Sequence, residues 1–557
     1  MGEAITEMII PGTYIEVRAE GLIGVSGIAT GNVGVVGTAA KGPLDQAVIL
    51  SSFSEARETF GEPDGWVDGT KDELTLVRAL QQVFDNGGST VYAVRCAAAG
   101  AAAASLGLAD DTGKVLTLAA RSKGTWGHDI RVQVKSASAD AFVEERKQTI
   151  PAELSVQPLH AHVADSPRNV LRVTAADTRV VKRLRLLTKG GDHTVAPGRA
   201  IVDPADGKLT FDAADQPKSG DIVAASYFVA QSFARDIVVA WQSVKEVFTA
   251  IDATDIQRDI NARSTLVGAQ IEAGAEARTP SVMAAPLPLS GGSNGETATS
   301  TVYQTALAKL DAEPVNIAVL AGQKFSDAGA ALLAHVETGE NNGKDRIAVV
   351  GADDATVAGA AANADSVGDD RLILVAPGIQ AADLALNQTV SLPPAYAAAS
   401  VAGLIASLAV QVSPTNKTLK VAGLTAYYND GELKKLLNSR VMPLERKMGY
   451  RIVKGITTDN GPFRQVSVRR IVDYAKQGPR IGSLPYIGRL NNARVRGALK
   501  ATLNGFLSDM VLNEALTSFT LDVTATREQE IAGVAVVTMF LKPTFSIDYI
   551  KVIMNLS

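Results

Sequence analysis

The sequence predicts a multidomain protein of the α/β and α+β classes, with an α/β middle domain, a β-rich insertion within it, and a C-terminal α+β domain. Short apolar runs alternate with helical stretches near the start of the chain and again after residue 290, as in α/β domains. Residues 106–285 carry many short strand-like runs separated by Asp, Gly, Pro and Asn. Extended segments at both ends predict β-strand arms, because chain ends normally fray unless something holds them.

Length and composition indicate the class of protein. At 557 residues the chain exceeds the size that one hydrophobic core usually serves, so several domains are expected. A net charge of -5 argues against a surface built throughout to bind nucleic acid. The single cysteine, Cys96, excludes an internal disulfide and a cysteine-based zinc site, and its strand-like surroundings predict a buried, unreactive thiol. Glu3 and Glu7, with no long apolar run beside them, argue against a secretory signal.

Residues 1–20 are predicted to form an N-terminal arm. After the Pro-Gly turn in MIIPGTYIEVR, the side chains alternate as they do in a β-strand. The strand is expected to have a partner, since it would otherwise fray. The central residues of this arm are Tyr14, Ile15, Glu16 and Val17.

Residues 21–100 and 291–415 are predicted to form the two parts of the α/β domain. In the first part, the strands VGVVGTA and TVYAVR flank a helix whose Leu76 and Leu80 share one stripe. In the second part, VNIAVLAG, DRIAVVGA and DRLILVAPG are short apolar runs typical of buried parallel strands. Residues 101–290 are predicted to be the β-rich insertion.

The stretch SLPPAYAAASVAGLIASLAVQVS carries no charge from Ser391 to Ser413 and is about long enough to cross a bilayer. It is rich in Ala and Ser, and Tyr396 is its only aromatic residue, whereas membrane spans favour large apolar residues and aromatic belts. A buried helix of a globular domain is therefore predicted, with no insertion into a membrane.

Residues 416–544 are predicted to form the C-terminal domain, and residues 545–557 a C-terminal arm. A long helix in the domain precedes two strands, TSFTLDVTA and GVAVVTMFLKP, and has an apolar stripe. That stripe consists of Leu499, Leu503, Phe506 and Met510. The closing FSIDYIKVIMNLS is predicted to be a strand with apolar side chains on both faces, and the pattern alone leaves its pairing partner open. The arm residues are Ile547, Tyr549, Ile550, Val552 and Met554.

Two pairs of carboxylates are candidates for a chemical site. Asp353 and Asp354 follow the strand IAVVG, and α/β enzymes place ligands and metal-binding carboxylates at this end of a strand. The other interpretation is an N-cap for the helix that follows, and the sequence favours this cap. Asp369 and Asp370, before LILVAP, are predicted to lie in a solvated turn.

Neither the histidines nor the glycines match a recognised site. His160 and His162 would project from one side of a strand, but no third ligand with suitable spacing is near, so a surface pair is predicted. GNVGVVGTAAKGP has Lys41 and several glycines after a strand, yet it matches neither phosphate-binding spacing. The sequence therefore assigns no catalytic residue, no cofactor and no metal site.

A basic stretch near the C-terminus interrupts an otherwise acidic chain. Its only acidic residue is Asp473, so a positive surface that faces a negatively charged protein is predicted, beside the alternative of a solvated face. Few aromatic residues and no binding motif accompany it, which argues against nucleic acid. The cations are Arg464, Arg469, Arg470, Lys476, Arg480, Arg489, Arg494, Arg496 and Lys500.

The order of these segments resembles that of contractile tail sheath proteins, which occur in phages with contractile tails and in related injection machines. The resemblance is carried by PGTYIEV, GVVGTAAKGP, the proline-led small-residue helix PPAYAAASVAGLIA, and the run from YRIVKGITT through RRIVDYA to the closing strands. It covers about the first hundred residues and those after 300. One departure is YRIVKGIT, residues 450–457, where many sheath sequences have an aromatic-rich W-G-A-R-T-like segment.

The resemblance implies a structural role without catalysis or cofactors. Sheath subunits form a helical homo-oligomer around an inner tail tube protein, and their terminal arms add strands to a small sheet in neighbouring subunits. The same resemblance implies baseplate and tail terminator partners, a virion tail or contractile particle as location, and assembly in the host cytoplasm. The cations expected to face the tube are Arg489, Arg494, Arg496 and Lys500. The alternatives are an α/β enzyme that binds a nucleotide or metal near Asp353, and another self-assembling protein of a surface layer or capsid.

Overall fold

The computed structural model describes residues 28–67, 73–190 and 193–554. The protein is a mixed α/β multidomain protein that divides into two compact units. The first unit comprises the residues up to Ala98 together with those from Glu296 onward, and the second comprises Ala99–Gly295. The first unit combines helices with a mainly parallel sheet, whereas the second is built mostly of β-strands.

The first unit begins with alternating strands and helices. These elements are β1 (Asn32–Thr38), β2 (Ala47–Leu50), α1 (Phe53–Phe60), α2 (Thr75–Asp85) and β3 (Thr90–Cys96). Helix α1 begins where Ser52 accepts a hydrogen bond from the backbone N–H of Glu55, and it ends at Gly61, whose φ of 87° suits glycine. The predicted strands VGVVGTA and TVYAVR and the helix between them are confirmed.

The second unit contains short strands and one longer helix. Its elements are β4 (Ser105–Asp110), β5 (Gly113–Ala120), β6 (Arg131–Ser136), β7 (Ala141–Thr149), β8 (Val170–Thr174), β9 (Val181–Thr188), β10 (Arg199–Val202), β11 (Leu209–Phe211), β12 (Ile222–Val229), β13 (Arg235–Trp241), β14 (Val244–Ala250), α3 (Ala253–Arg263), β15 (Val267–Ile271) and β16 (Leu287–Pro288). Side chains alternate between buried and exposed along strands such as β6 and β7, as expected where one sheet face meets a core.

The rest of the first unit returns to alternating helices and strands. Its elements are α4 (Ser300–Leu307), β17 (Ile317–Leu320), α5 (Phe325–Asn341), β18 (Ile347–Gly351), α6 (Val357–Asp365), β19 (Leu372–Ala376), β20 (Ile379–Asp383), β21 (Gln388–Leu392), α7 (Pro394–Ser407), β22 (Thr418–Leu419), β23 (Gly423–Leu424), α8 (Asp430–Asn438), β24 (Met442–Arg446), β25 (Tyr450–Ile452), α9 (Val466–Ser483), α10 (Ala493–Leu512), β26 (Leu516–Thr524), α11 (Arg527–Ile531) and β27 (Val536–Pro543).

The central sheet of the first unit has the strand order β2-β3-β1-β17-β18-β19-β24-β25-β22. Strand β1 pairs in parallel with both β3 and β17, and β17, β18 and β19 continue the parallel arrangement. Every residue of β17, β18 and β19 is buried, which is why these strands are apolar without alternation. The three buried parallel strands predicted from the sequence are confirmed.

Helix α7 lies within the uncharged stretch from Ser391 to Ser413, which is about long enough to cross a bilayer. All its residues from Pro394 to Ile405 are buried within the first unit, so the predicted buried helix is confirmed. The packing is close: a Cβ atom on Gly403 would collide with the carbonyl oxygen of Val83 on α2. In the described ranges of the chain, no helix combines the length and the apolar character that crossing a membrane requires.

The C-terminal part of the first unit places β26 and β27 against the long helix α10. The predicted stripe of α10 is confirmed, because all four of its residues are buried. Phe506 and Met510 share a core with Ile471 of α9 and Leu516 of β26. The two strands therefore have one face toward the helices.

Candidate functional site

The segment after β27, residues 545–554, forms no backbone ladder with the described part of its own chain. Thr544 donates its backbone N–H to the carbonyl oxygen of Ala515, and among the described residues no later position makes a backbone–backbone hydrogen bond. The predicted C-terminal strand is therefore absent from the isolated chain, since a strand requires ladder bonds to a neighbour. The predicted arm residues are highly exposed, each to between 73% and 84%. They are Ile547, Tyr549, Ile550, Val552 and Met554.

Polar contacts hold the base of this segment against its own chain. Asp548 Oδ2 accepts hydrogen bonds from Lys454 Nζ and from Gln465 Nε2, each at 3.1 Å. The same Lys454 ammonium donates to the Tyr549 hydroxyl at 3.1 Å and lies 4.8 Å from the centre of its ring. Gln465 Oε1 also accepts from the backbone N–H of Ser546 at 3.3 Å. The path of the segment is thus fixed by polar groups, while its apolar side chains stay uncovered.

The β26–β27 sheet has two open edges. Within the described ranges, β26 and β27 pair only with each other, in antiparallel register from Leu516 opposite Pro543 to Thr524 opposite Val536. One face packs on the helices, whereas Phe540 on the other face is 71% exposed. The outward N–H and C=O groups of each strand can therefore accept a further strand.

The N-terminal arm cannot be compared with the structure. Its central residues, Tyr14, Ile15, Glu16 and Val17, lie outside the described residues, which begin at Ile28. The proposal that they pair with another subunit therefore stays a prediction.

The four cations predicted to face a tube differ in their surroundings. Arg489 is exposed, and its Nε donates to the carbonyl oxygen of Pro485 at 2.9 Å. Arg494 is exposed, and in the described part of the chain its side chain has no polar partner. By contrast, Arg496 pairs with Glu530 at 2.9 Å, and Lys500 pairs with Asp522 at 3.2 Å. The structure thus leaves two of these cations, Arg489 and Arg494, without a carboxylate partner among the described residues.

The first half of the basic stretch faces its own chain, so the predicted positive surface is wrong for these residues. Arg469 bonds to Asp370 at 2.8 Å and to Asp473 at 2.7 Å. Arg470 donates to the backbone carbonyls of Thr30, Leu408 and Ala409. Both side chains are buried, and their partners include groups far away in sequence, namely the Asp370 carboxylate and the carbonyls of Thr30, Leu408 and Ala409.

Arg371 and Asp345 are the centre of this ionic network. Arg371 donates to both carboxylate oxygens of Asp473, at 2.9 and 3.1 Å, and to Asp345 at 3.0 Å. Asp345 also accepts from Lys476 at 3.2 Å and from Arg480. The side chain of Asp345 is fully buried and that of Arg371 is 2% exposed. The network joins the residues before β18 and β19 to α9, and we name it the α9 network.

Charge balance explains how the α9 network tolerates burial. Hydrogen bonds from Arg371 lower the pKa of Glu340 to about 2, and Lys476 adds to this effect. Burial acts to raise the pKa of Asp345, but the neighbouring Arg480 and Lys476 outweigh it and the pKa is lowered. For Asp473 burial prevails, and its pKa is raised despite two arginines. The network is therefore sensitive to the loss of any one partner.

The place where an α/β enzyme would bind its ligand is filled. The strand order reverses at β1 and β17, and ligands of such folds bind at the carboxyl ends of the strands there. In this protein the Thr75 hydroxyl lies 3.0 Å from the Tyr303 hydroxyl and 3.1 Å from the backbone nitrogen of Thr38, and both Thr75 and Tyr303 are buried. The buried Tyr396 hydroxyl donates to Glu73 beside them. Side chains thus occupy the crevice.

Asp353 and Asp354 make local bonds. Asp353 accepts from the backbone N–H of Ser326 at 2.8 Å and from Asn363 Nδ2 at 2.7 Å. Asp354 accepts from the backbone N–H and the hydroxyl of Thr356. The prediction that one of these aspartates caps the following helix is wrong, since the N-cap of α6 is Thr356. Asp353 instead bonds to the first turn of α5. The turn predicted at 369–370 is confirmed, but it is only partly solvated, because Asp370 is 27% exposed and pairs with Arg469 of α9.

Among the carboxyl groups near the filled crevice, that of Glu73 has a strongly raised pKa. Burial raises the pKa of Glu73 to about 7, even though Tyr396 and Arg78 donate hydrogen bonds to it, and the charge of Asp64 adds to the rise. Its side chain is 11% exposed. A carboxyl group whose pKa is higher in the folded than in the unfolded chain stabilises the fold at low pH, and this contribution is lost as the pH rises toward 7.

Replacing Glu73 by Gln should remove this pH-dependent loss of stability. The variant keeps an oxygen acceptor for Tyr396 without the buried charge. At pH 8 we expect it to be more stable than the original chain by about 2 kcal/mol, and at pH 4.5 about equally stable. Urea unfolding across this pH range measures the difference, with the exposed Glu58→Gln as the control. The same pH profile in both proteins would disprove the assignment.

The predicted surface pair of histidines is wrong. His160 and His162 do not lie on a strand; the ring of His162 stacks on Phe233 with centroids 3.3 Å apart. His160 is partly buried, and its Nε2 lies 2.7 Å from Asp252 Oδ2 and its Nδ1 2.7 Å from the Tyr227 hydroxyl.

His160, Asp252 and Asp255 together have the ligand types and proximity of a metal site, with ligand atoms within 4.8 Å of one another. However, the Arg146 guanidinium lies 3.0 Å from His160 Nε2, and Arg258 pairs with Asp255. One arginine thus contacts the histidine and the other pairs with a carboxylate, so the arrangement does not favour a metal ion.

Cys96 is buried at the end of β3, as predicted. Burial raises the pKa of its thiol to about 12, which keeps it protonated and unreactive at neutral pH.

The C-terminal part of the chain matches two models of known protein families. Residues 296–458 match the model of the phage tail sheath protein central domain, and residues 458–557 match the model of the phage tail sheath C-terminal domain. Residues 296–557, just under half of the chain, therefore match phage tail sheath domains. Both the α9 network and the open β26–β27 sheet lie within these sheath domains.

Individual sheath relatives extend the comparison. The tail sheath protein of Mycobacterium phage Bxz1 is 29% identical over 208 residues, which is 34% of this chain and 36% of that protein. The aligned part thus spans about a third of that relative's length. The sheath tail protein of Desulfitobacterium hafniense superposes with a TM-score of 0.56 at 15% identity, over 96% of this chain and 100% of that one. That of Listeria innocua has a TM-score of 0.59 at 13% identity, over 94% and 93%. These two structures share the fold.

Proposed function

We propose that this protein is the structural subunit of a contractile tail sheath, which polymerises around an inner tube by exchanging strands between subunits and contracts to drive the tube through a target envelope. Support comes from the sheath domains at residues 296–557 and from the shared fold of sheath tail proteins. The observation that carries the proposal is an unpaired segment with exposed apolar side chains beside a small sheet with two open edges.

Strand exchange accounts for both features together. Residues 545–557 of one subunit would add to an edge of the β26–β27 sheet of a neighbour, and residues 1–20 would add to the other edge. Backbone hydrogen bonds then supply the attachment. The neighbour covers the apolar side chains of Ile547 and Ile550, which explains why both faces of the segment are apolar.

We assign the predicted domains accordingly. Residues 21–100 and 291–415 form the α/β domain, residues 101–290 the outward insertion, and residues 416–544 the inner sheath domain. The baseplate and tail terminator proteins are the proposed partners at the two ends of the tail. The location is the virion tail or a contractile particle, with assembly in the host cytoplasm. We assign no catalytic activity and no cofactor, and the filled crevice beside Thr75 supports this choice over an α/β enzyme.

Electron microscopy of the purified full chain tests the proposal. Hollow tubes are the expected product, because a helical lattice of strand-linked subunits encloses the space of the inner tube. Flat lattices would favour a surface-layer protein, and closed shells would favour a capsid component. A protein that remains a monomer at high concentration, with or without the tube protein, would overturn the sheath role.

Arg489 and Arg494 are the cations we propose to contact the inner tube, since Arg496 and Lys500 already have acidic partners. The double variant Arg489→Gln and Arg494→Gln should bind the tube protein about tenfold more weakly and with less dependence on salt. Co-sedimentation of sheath with tube at increasing salt concentration measures this. The matched control is Lys434→Gln with Lys435→Gln, which removes two exposed charges from α8. Equal losses in both variants would contradict the assignment.

A further inference from the structure

A sheet of the second unit has one face on a core and one face toward solvent. Its strand order is β11-β10-β9-β8-β12-β7. Leu184 and Leu186 of β9 and Leu171 of β8 point to the core and are buried. Because side chains alternate along a strand, Arg183 and Arg185 of β9 point to the opposite, exposed face.

Arginines lie opposite one another on this exposed face. Arg172 of β8 pairs in register with Arg183 of β9, and Arg185 of β9 pairs with Arg199 of β10. Like charges directly across neighbouring strands are destabilising, so folding alone does not favour this arrangement. Arg172 has one carboxylate partner, Glu145, at 2.7 Å. We name these four residues the arginine face.

Three members of the arginine face have no internal partner in the part of the chain that the structure describes. With residues 28–67, 73–190 and 193–554, the guanidinium groups of Arg183, Arg185 and Arg199 make no hydrogen bond and no ion pair, and all three residues are exposed. Each therefore presents its planar fork of donors to an external acceptor.

An open groove of about 450 Å³ adjoins the arginine face at Arg172. Its floor contains the rings of Phe142 and Phe228, whose centroids are 5.0 Å apart. Arg168 and Glu144 also line it. Phe142 is 45% exposed, so its ring is accessible to a ligand in the groove. The groove thus offers an apolar floor with cationic and anionic side chains.

A β-bulge arranges the acidic side of the groove. The register between β7 and β12 shifts between Ala225 and Tyr227, and Glu145 has a φ of 43°. Glu145 consequently turns to bind Arg172 and Lys147. Glu144 is exposed, and among the described residues no side chain or backbone group bonds to its carboxylate. It remains available as an acceptor of hydrogen bonds.

We propose that the groove and the arginine face bind an acidic polysaccharide. Sugar rings have apolar faces that pack on aromatic floors, and their carboxylates match the two-pronged donors of arginine. Sugar hydroxyls donate to a carboxylate such as that of Glu144, whereas a chain of phosphates has no donors and is repelled by it. The mixture of Glu144 with arginines therefore favours a ligand that carries hydroxyl donors between its acidic groups, as an acidic glycan does. This inference concerns the second unit and does not depend on the sheath role.

Binding of a fluorescein-labelled oligomer of uronic acid to the full chain tests the proposal by fluorescence anisotropy. Saturable binding is expected, with neutral dextran as an inactive competitor. The variant Arg183→Gln with Arg185→Gln should bind about tenfold more weakly, and so should Phe142→Ala. The matched controls are Lys123→Gln with Lys245→Gln, which remove two charges elsewhere in the unit, and Val244→Ala. Circular dichroism verifies that each variant is folded.

Three outcomes would overturn the inference. The first is the absence of saturable binding to the uronic acid oligomer. The second is competition by inorganic polyphosphate or single-stranded DNA that equals or exceeds competition by the unlabelled oligomer, since this would indicate charge attraction alone. The third is an equal loss of affinity in the control variants, which would show that binding does not involve the groove.

Discussion

A chain that ends at Phe545 should remain a folded monomer and lose the ability to polymerise. The removed residues contribute no ladder hydrogen bond to their own chain among the described residues, and their apolar side chains are exposed. Within the subunit, the truncation mainly breaks the polar cluster that Asp548 forms with Lys454 and Gln465. The Lys454 and Asp548 side chains are 15% and 9% exposed, but removal of the segment returns the Lys454 ammonium to water, so the loss should be about 1 kcal/mol and the fold should survive. The lattice, by contrast, would lose a whole strand from each subunit.

Sedimentation velocity and electron microscopy of the truncated chain measure polymerisation, and circular dichroism with thermal melting measures folding. A matched control keeps the length of the chain but replaces Ile547, Ile550 and Val552 by Ser. This control retains the backbone hydrogen bonds while losing the apolar packing, and we expect it to polymerise weakly. Unfolding of the truncated chain would show that the segment belongs to its own core and would contradict strand exchange.

Replacing Asp345 by Asn should destabilise the first unit by about 3–5 kcal/mol, because it leaves buried cations without their charge partner. Asp345 is fully buried and contacts Arg371, Lys476 and Arg480 at once. The neutral amide can accept at one position only, and it places its N–H donors against cationic donors. The free energy of unfolding in urea, followed by circular dichroism, measures the cost.

Asp509→Asn is the control for this change, since Asp509 lies on α10 and has no ion pair in the described chain. It should alter stability by less than about 0.5 kcal/mol. A cost below about 1 kcal/mol for Asp345→Asn would mean that the α9 network behaves like a set of surface pairs and does not hold α9 to the sheet.

The elements that the sequence predicted well are those whose physical cause is local. The strands β17, β18 and β19 are short, continuous apolar runs, which is the pattern of parallel strands that are buried on both faces of a sheet. Helix α7 is uncharged because it is buried on all sides. The stripe of α10 repeats at helical spacing, and its residues are buried. In each case the pattern within one segment determines the outcome.

Features that depend on partners far along the chain could not be predicted. Arg371 and Asp473 are 102 residues apart in sequence, and nothing in the run from Arg464 to Lys500 indicates which cations meet acids elsewhere. A count of charges therefore predicted one positive surface where the structure has a buried network and two exposed arginines. The sequence places His160 on a strand for a related reason: its contacts with Tyr227 and Asp252 involve segments 67 and 92 residues away.

The two open edges of the β26–β27 sheet can each accept one strand. Each subunit therefore has two acceptor edges, and it has two proposed donor arms. In the interior of such a polymer every donor arm is paired with an acceptor edge. No open strand edge then remains to bind further subunits laterally. If both proposed arms reach in the same direction along the stack, one terminus has unpaired donor arms and the opposite terminus has unpaired acceptor edges. A finite tail with this chemistry consequently needs two different end caps, one that offers strands and one that receives them.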